Sequence, residues 1–180
     1  MTAEVYICVD VETAGPVPAL YAMLSIGACL VEDTAQTFYI ELKPDRDQFL
    51  PEAMAISGLS PQTLAETGAP PEQAMRAFAD WVAQVTPHGH RPVFVALNAP
   101  FDWMFISDYF YRYLGTNPFG HSALDVKAFY MGLTGVSWSE TSMKHISAHF
   151  LEEETHLTHN ALQDAQDQAA IFREALRVAH

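Results

Sequence analysis

Two carboxylates, Asp10 and Glu12, lie at the end of an apolar stretch that begins at Val5 and breaks at Gly15. The stretch is rich in β-branched residues, which predicts a buried strand. Because side chains alternate faces along a strand, both acids point to the same side, with roughly 7 Å between their Cα atoms. Two such acids repel each other and are costly to desolvate. A divalent metal ion would supply the missing charge; the alternative is a solvated strand end whose acids belong to a turn.

A third acid, Asp102, lies in the first turn of a predicted helix that follows a buried strand over residues 92–97. In open α/β sheets, functional sites form at the carboxyl ends of the strands. Asp102 can therefore join Asp10 and Glu12 at one edge of the sheet if their strands are neighbours. Otherwise Asp102 would only complement the helix dipole, which is the ordinary role of an acid at this position.

The segment 158–164 combines a histidine with a fourth acid. His159 precedes a helix that is predicted to start near Asn160, and Asp164 lies about one helical turn inside it. Either residue alone is unremarkable, since acids are common near helix N-termini. The complete set of acids at strand ends or helix starts, with one histidine on a loop, favours a shared catalytic site. Asp167, one turn further along, is expected to lie outside it.

The elements that must position these residues follow one another as three strands and then as alternating helices and strands. Strands are predicted from Val5 and over residues 22–31, 36–42, 92–97 and 122–126. Helices are predicted over 51–56, 61–67, 71–85, 98–114, 139–150 and 160–179, with Asn98 as an N-cap and Pro100 in the first turn. This order predicts an α/β fold with a mixed five-stranded sheet, an antiparallel hairpin on one side and helices on both faces.

Three short motifs resemble those of a known enzyme family. They are DVETAG at residues 10–15, NAPFD at 98–102 and HNALQD at 159–164. Together, and in this order, they are similar to the exonuclease motifs of the DnaQ-like 3′-5′ exonucleases of the DEDDh class. The tyrosine subclass of that family would have a tyrosine at position 160, where this chain has Asn160. The resemblance runs from residue 5 to about 170 and implies a ribonuclease H-like fold, so residues 1–180 are expected to form a single exonuclease domain.

The resemblance also implies the chemistry of the site. Two divalent cations, Mg²⁺ or Mn²⁺, would be held by four carboxylates, which are ligands that these metals prefer. Such a pair can hold the attacking and leaving oxygens of an in-line phosphoryl displacement. His159 would be the catalytic base, because imidazole titrates near neutrality. The ligands implied by matching position are Asp10, Glu12, Asp102 and Asp164.

The same resemblance places a substrate with a free 3′ end. The backbone of Thr13, Ala14 and Gly15 is expected to lie against the 3′-terminal nucleotide, from which the enzyme would release 5′-mononucleotides. Phe101 is a candidate for stacking on a terminal base, with packing in the core as the alternative. Many family members have a glutamate where this chain has Ser25, so substrate contacts near the 3′ end, but not the metal ligands, are expected to differ here.

Composition limits the kinds of substrate and the cellular setting. The net charge is −13 with only nine lysines and arginines, which argues against broad electrostatic capture of duplex nucleic acid and favours short or single-stranded RNA or DNA. Cys8 and Cys29 lie in apolar runs, so we expect reduced core cysteines and a cytoplasmic protein. The N-terminus does not resemble a signal peptide, and no apolar run has membrane-spanning length. The resemblance to the family also implies a possible homodimer.

Two other interpretations of the sequence remain open. One is a catalytically silent ribonuclease H-fold interaction module, although such a module has no physical reason to keep buried like charges. The other is a zinc hydrolase that uses His145 and His149, which are spaced i, i+4 on a predicted helix but lack the glutamate of the His-Glu-x-x-His pattern. Exposed helix histidines are the simpler explanation. The acidic run at residues 152–154 is expected to be a solvated turn.

Overall fold

The computed structural model describes residues 3–151 and 154–179, so most of the acidic run at 152–154 lies outside the described residues. The strands are β1 (Glu4–Thr13), β2 (Met23–Leu30), β3 (Thr37–Glu41), β4 (Arg91–Ala96) and β5 (Ala123–Asp125). The helices are α1 (Pro51–Ser57), α2 (Pro61–Thr67), α3 (Pro71–Val85), α4 (Ala99–Leu114), α5 (Val126–Thr134), α6 (Met143–Phe150) and α7 (Ala161–Ala179). No helix in the described ranges combines the length and the apolar character needed to cross a membrane.

The strands form one mixed sheet in the order β3-β2-β1-β4-β5. The first three strands pair antiparallel, whereas β1, β4 and β5 run parallel to one another. This confirms the predicted α/β architecture with its hairpin side. The topology makes β1 the central strand and brings the carboxyl ends of β1 and β4 to the same edge, where the acids had been expected to meet.

Alternation along β1 divides the core into two layers. Ile7 and Val9 face a layer that contains residues of α3 and α4, such as Phe78 and Phe105. Cys8 faces the opposite layer, against α5 and α7. Both cysteines are buried free thiols, as the composition predicted. Because even-numbered positions of β1 face the α7 side, the strand directs its acids toward the last helix.

The region between β4 and α7 differs from the prediction in three places. Asn98 does not cap α4 with its side chain; its backbone is left-handed, with φ 66°, and the Asp125 carboxylate accepts the Ala99 N–H instead. Helix α5 was missed, although Asp125 caps it and its apolar residues have helical spacing. The helix predicted over 139–150 is divided into a 3₁₀ turn at Trp138–Glu140 and helix α6, because Ser142 caps a new helix start.

Gly27 permits the closest packing between the sheet and α7. It lies opposite Asp10 in the β1–β2 register, and a Cβ atom there would collide with the backbone of Ala161 and Leu162, where α7 begins. A rigid backbone cannot move aside as the end of a long side chain can. Glycine at this position therefore allows the first turn of α7, which carries Asp164, to approach the strand that carries Asp10.

We expect Gly27→Ala to displace the start of α7, lowering the free energy of unfolding by about 1–3 kcal/mol and reducing exonuclease activity strongly. Urea denaturation and initial rates on a labelled oligonucleotide measure the two effects. Gly132→Ala is the matched control, because a Cβ at Gly132 would meet open space within α5. That change should leave activity intact and stabilise slightly. Equal behaviour of the two variants would show that close packing at Gly27 has no role.

Candidate active site

Asp10 is fixed by a buried glutamine on the last helix. The Gln168 side-chain amide donates to Asp10 Oδ1 at 2.8 Å, and its carbonyl oxygen accepts the Leu97 N–H at 2.8 Å. Gln168 is 1% exposed, and it lies one turn after Asp164 on α7. A single side chain therefore connects β1, the end of β4 and α7, and it holds one oxygen of the Asp10 carboxylate in a defined position.

Glu12 lies where the ladder between β1 and β2 becomes irregular. It pairs with Ser25, and the register shifts directly after it, between Glu12 and Thr13. Such an irregularity redirects a side chain at the end of a strand. The Ser25 hydroxyl is buried and has no hydrogen-bond partner among the described residues. The side chain opposite Glu12 is thus a small, unsatisfied polar group.

Asp102 is held against β1 from the first turn of α4. Its Oδ1 accepts the backbone N–H of Val11 at 3.1 Å, and the residue is 4% exposed. Asp125 supports this arrangement from β5, because its two oxygens accept the N–H groups of Ala99 and Ala128. One carboxylate therefore anchors the starts of both α4 and α5.

The loop before α7 wraps around Asp164. The Asp164 carboxylate accepts the N–H and hydroxyl of Thr158 at 2.7 and 2.9 Å, and the N–H of His159 at 2.8 Å. His159 is exposed and has a left-handed backbone, with φ 59°, which is uncommon for a residue other than glycine. These hydrogen bonds fix the backbone of His159 and leave its ring on the solvent side of the acid.

The predicted residues meet at one cleft of about 480 Å³. All four acids and His159 line it, and side-chain atoms of Glu12, His159 and Asp164 lie within 4.8 Å of one another. The cleft wall is formed by Asp10, Val11, Glu12, Thr13, Ala53, Ile56, Leu97, Asn98, Phe101, Asp102, Lys127, Thr141, Ser142, Met143, Leu157, His159 and Asp164.

Two of the predicted substrate-binding residues line the cleft and two do not. Thr13 and Phe101 form part of its wall, and Phe101 also packs against Phe105 with ring centroids 5.5 Å apart. Ala14 instead lies in a small core cluster, with both backbone polar groups hydrogen-bonded within the protein. Gly15 lies so close to the Tyr21 ring that a Cβ atom would not fit. Asp167, which was expected to lie outside the site, accepts a hydrogen bond from Gln163 and is not part of the cleft wall.

Burial and mutual repulsion raise the pKa of three of the acids. Burial raises the pKa of Asp10 well above its ordinary value, and the charges of its three acidic neighbours raise it further. Burial, followed by the charge of Asp164, raises the pKa of Glu12 to about 8. Burial also raises the pKa of Asp102 to about 8, although backbone hydrogen bonds act in the opposite direction. The site thus has carboxylates whose negative charges are not compensated by the protein.

The donor set fits divalent cations. In residues 3–151 and 154–179, no lysine or arginine nitrogen lies within 4.0 Å of an oxygen of the four acids. Hard carboxylate oxygens that line a cleft are ligands suited to Mg²⁺ or Mn²⁺. Bound cations would lower the pKa of these acids by supplying the missing positive charge.

The histidines of the zinc alternative have other partners. The His145 ring nitrogen lies 2.6 Å from the Ser142 hydroxyl, and His149 packs edge-on against Tyr130 and Phe150. In the part of the chain that the structure describes, the group of three potential metal ligands that lie close together is the one at Glu12. Both histidines are exposed on α6, as the simpler explanation predicted.

Three residues that shape the site were not predicted from the sequence, namely Gln168, Asp125 and Lys127. Gln168 lies four residues after Asp164, so both side chains are on one face of α7. A glutamine at that position is not part of any motif that would mark it as a site residue. Asp125 ends a strand and begins a helix, a local N-cap signal that was available. Lys127 has no sequence signature, because its place on the cleft wall depends on the packing of α5.

Comparisons with known proteins give the family. A family model described as an exonuclease, RNase_T, matches residues 7–172. The chain is 45% identical over 170 residues to the 3′-5′ DNA exonuclease Cap18 of Escherichia coli, covering 94% of this chain and 90% of that protein. Both matches are to exonucleases, so they contradict the interpretations of the chain as a zinc hydrolase or as a catalytically silent module.

Solved structures share the fold at low sequence identity. The nuclease domain of 3′hExo, a DEDDh family member bound to rAMP, superposes with a TM-score of 0.78 at 16% identity, over 96% of this chain and 92% of that one. Escherichia coli Exonuclease I in complex with a dT13 oligonucleotide has a TM-score of 0.70 at 19% identity, over 94% of this chain and 40% of that one. The fold agrees with the family model and the Cap18 match, which show that the chain belongs to the DnaQ-like DEDDh family of nucleases and is a 3′-5′ exonuclease.

Proposed function

We propose that this exonuclease removes nucleotides from the 3′ end of single-stranded DNA and releases 5′-mononucleotides. The observation that carries the proposal is the meeting of four carboxylates and one histidine at a single cleft. DNA is favoured because the 45% identical relative is a 3′-5′ DNA exonuclease. Single strands are favoured because a chain with a net charge of −13 lacks the basic surface that duplex binding requires.

The four acids would hold two divalent cations. Asp10, Glu12, Asp102 and Asp164 are the ligands, and Gln168 orients Asp10 by its hydrogen bond. When bound, the cations neutralise the scissile phosphate and stabilise the attacking and leaving oxygens of an in-line displacement. The protein contributes a rigid carboxylate frame, because each acid projects from a strand end or a helix start that is packed into the core.

His159 is the general base in this proposal. Its side chain lies near Glu12 and Asp164, while its backbone N–H is held by the Asp164 carboxylate. It can therefore accept a proton from the attacking water at the open side of the cleft. Because the ring is exposed in the free protein, a bound substrate would cover it and exclude bulk water from the proton transfer.

The nucleotide at the 3′ end would lie between Thr13 and Phe101. Phe101 is half-buried, so part of its ring packs on Phe105 and part lies on the cleft wall. Aromatic stacking on a base contributes about 1–3 kcal/mol and tolerates any sequence. This geometry suits an exonuclease that shortens a strand stepwise without a strong base preference.

The substrate proposal predicts a ladder of shortened products from 5′-labelled single-stranded DNA in the presence of Mn²⁺. RNA of the same sequence should react about tenfold or more slowly, since an additional 2′-hydroxyl must be accommodated. Blunt duplex DNA should also react more slowly than the single strand. A strand whose 3′ end is blocked is the control and should remain intact. Faster digestion of RNA than of DNA would contradict the substrate assignment.

Removing one repelling charge should separate stability from activity. Asp10→Asn keeps an oxygen for the Gln168 hydrogen bond but should lower kcat by about a thousandfold or more. In EDTA at pH 8 it should raise the free energy of unfolding by about 1–2 kcal/mol. Carboxyl groups with raised pKa values favour the folded state at low pH, where they are protonated. This contribution is lost as the pH rises through about 8, the pKa of Glu12 and Asp102. The gain should therefore shrink at pH 5.

Chemical denaturation at the two pH values, with EDTA or Mn²⁺, measures this effect. Asp80→Asn on the exposed side of α3 is the matched control and should change neither stability nor activity. An Asp10→Asn variant that is less stable than the wild type in EDTA at pH 8 would contradict the electrostatic account of the site.

The role of His159 is tested by His159→Asn, because asparagine tolerates the left-handed backbone at this position. We expect kcat to fall about 10²–10⁴-fold with little change in melting temperature, since the base is lost and the loop is retained. The neighbouring exposed residue allows His156→Asn as a control, which should behave like the wild type. An unchanged kcat in His159→Asn would exclude the histidine as the base.

A further inference from the structure

One positively charged side chain lies on the wall of the acidic cleft. Lys127, in the first turn of α5, lines the same cleft as the four acids. The chain has only nine lysines and arginines against 22 aspartates and glutamates, so a basic side chain on the wall of an acidic cleft is unusual for this protein.

Lys127 has no carboxylate partner among residues 3–151 and 154–179. Most other basic residues pair with an acid, as Arg112 does with Asp45 and Lys144 does with Glu154. No described carboxylate oxygen lies within 4.0 Å of Lys127 Nζ. The adjacent acid Asp125 uses both oxygens on backbone N–H groups. The ammonium is therefore available to an anion from outside the protein.

An aromatic ring holds this ammonium in position. Lys127 Nζ lies 4.3 Å from the centroid of the Trp138 ring, the geometry of a cation–π interaction. Trp138 is 52% exposed, and its 3₁₀ turn is fixed by a capping box between Ser137 and Glu140. Because Trp138 is exposed, its ring serves this contact rather than packing in the core. The contact also limits the conformations of the lysine side chain before any ligand binds.

We propose that Lys127 binds a backbone phosphate of the substrate strand other than the scissile one. This inference rests on the proposed function. The scissile phosphate belongs at the four acids, from whose oxygens Lys127 Nζ is more than 4.0 Å away. Ser142, the N-cap of α6, lines the same cleft as the lysine. The contact anchors the strand by charge, without selecting bases.

The test compares substrates with one phosphate and with several. Lys127→Ala should raise KM about tenfold on single-stranded DNA oligomers and leave kcat within about twofold, since a charged contact outside the reacting bond affects binding. A dinucleoside monophosphate, whose only phosphate is scissile, should show the same KM with both proteins. Lys127→Arg should restore most of the loss, and Trp138→Leu should reproduce part of it.

Methylphosphonate substitution locates the phosphate independently of the variant's behaviour. In the wild type, a methylphosphonate at one particular non-scissile linkage should raise KM about tenfold. The same replacement should leave the KM of Lys127→Ala unchanged. Lys43→Ala is the matched control, because Lys43 is exposed outside the cleft, and it should behave like the wild type.

Several outcomes would overturn the inference. They are an unchanged KM in Lys127→Ala, an equal change for one-phosphate and longer substrates, and wild-type tolerance of methylphosphonate at every non-scissile linkage. A wild-type protein that degrades no oligonucleotide would instead remove the proposed function itself. The two failures are thus distinguishable, and the methylphosphonate scan decides the question even if Lys127→Ala folds poorly.

Discussion

Repulsion between buried carboxylates is the constraint on which the rest of this structure depends. Asp10, Glu12 and Asp102 each have a raised pKa, and the described part of the chain provides no cation within ion-pair distance of them. A fold that keeps such charges together destabilises itself in the absence of metal. The surrounding structure must therefore be rigid enough to hold the acids until cations bind and convert repulsion into attraction.

The rigidity comes from contacts that join distant parts of the chain. Gly27 lets α7 pack closely on β2, Gln168 ties Asp10 to the end of β4, and Asp125 anchors two helix starts. None of these residues needs to touch substrate. Each fixes the relative position of elements that carry an acid, so the accuracy of the site is a property of the packing between the sheet and its helices.

Sequence patterns predicted the elements well where apolar periodicity was strong. The central strand, α3 and α7 lie within a few residues of their predicted bounds. The prediction failed where capping decided the outcome. The side chain of Asn98 was expected to cap α4, but Asp125, from a neighbouring strand, accepts the Ala99 N–H. Local pattern cannot anticipate a cap supplied by a residue 26 positions away.

By itself, the sequence determined the α/β order and the family, and it predicted the four acids and His159 as the candidate site residues, because strand alternation and short motifs are local properties. The tertiary structure decided which of these residues share a cleft, that Ala14 and Gly15 lie outside its wall, and that Lys127 faces it over an aromatic ring. The physical reason is that charge compensation and cation–π contact depend on distances between residues. Such distances exist only after the sheet and its helices have packed.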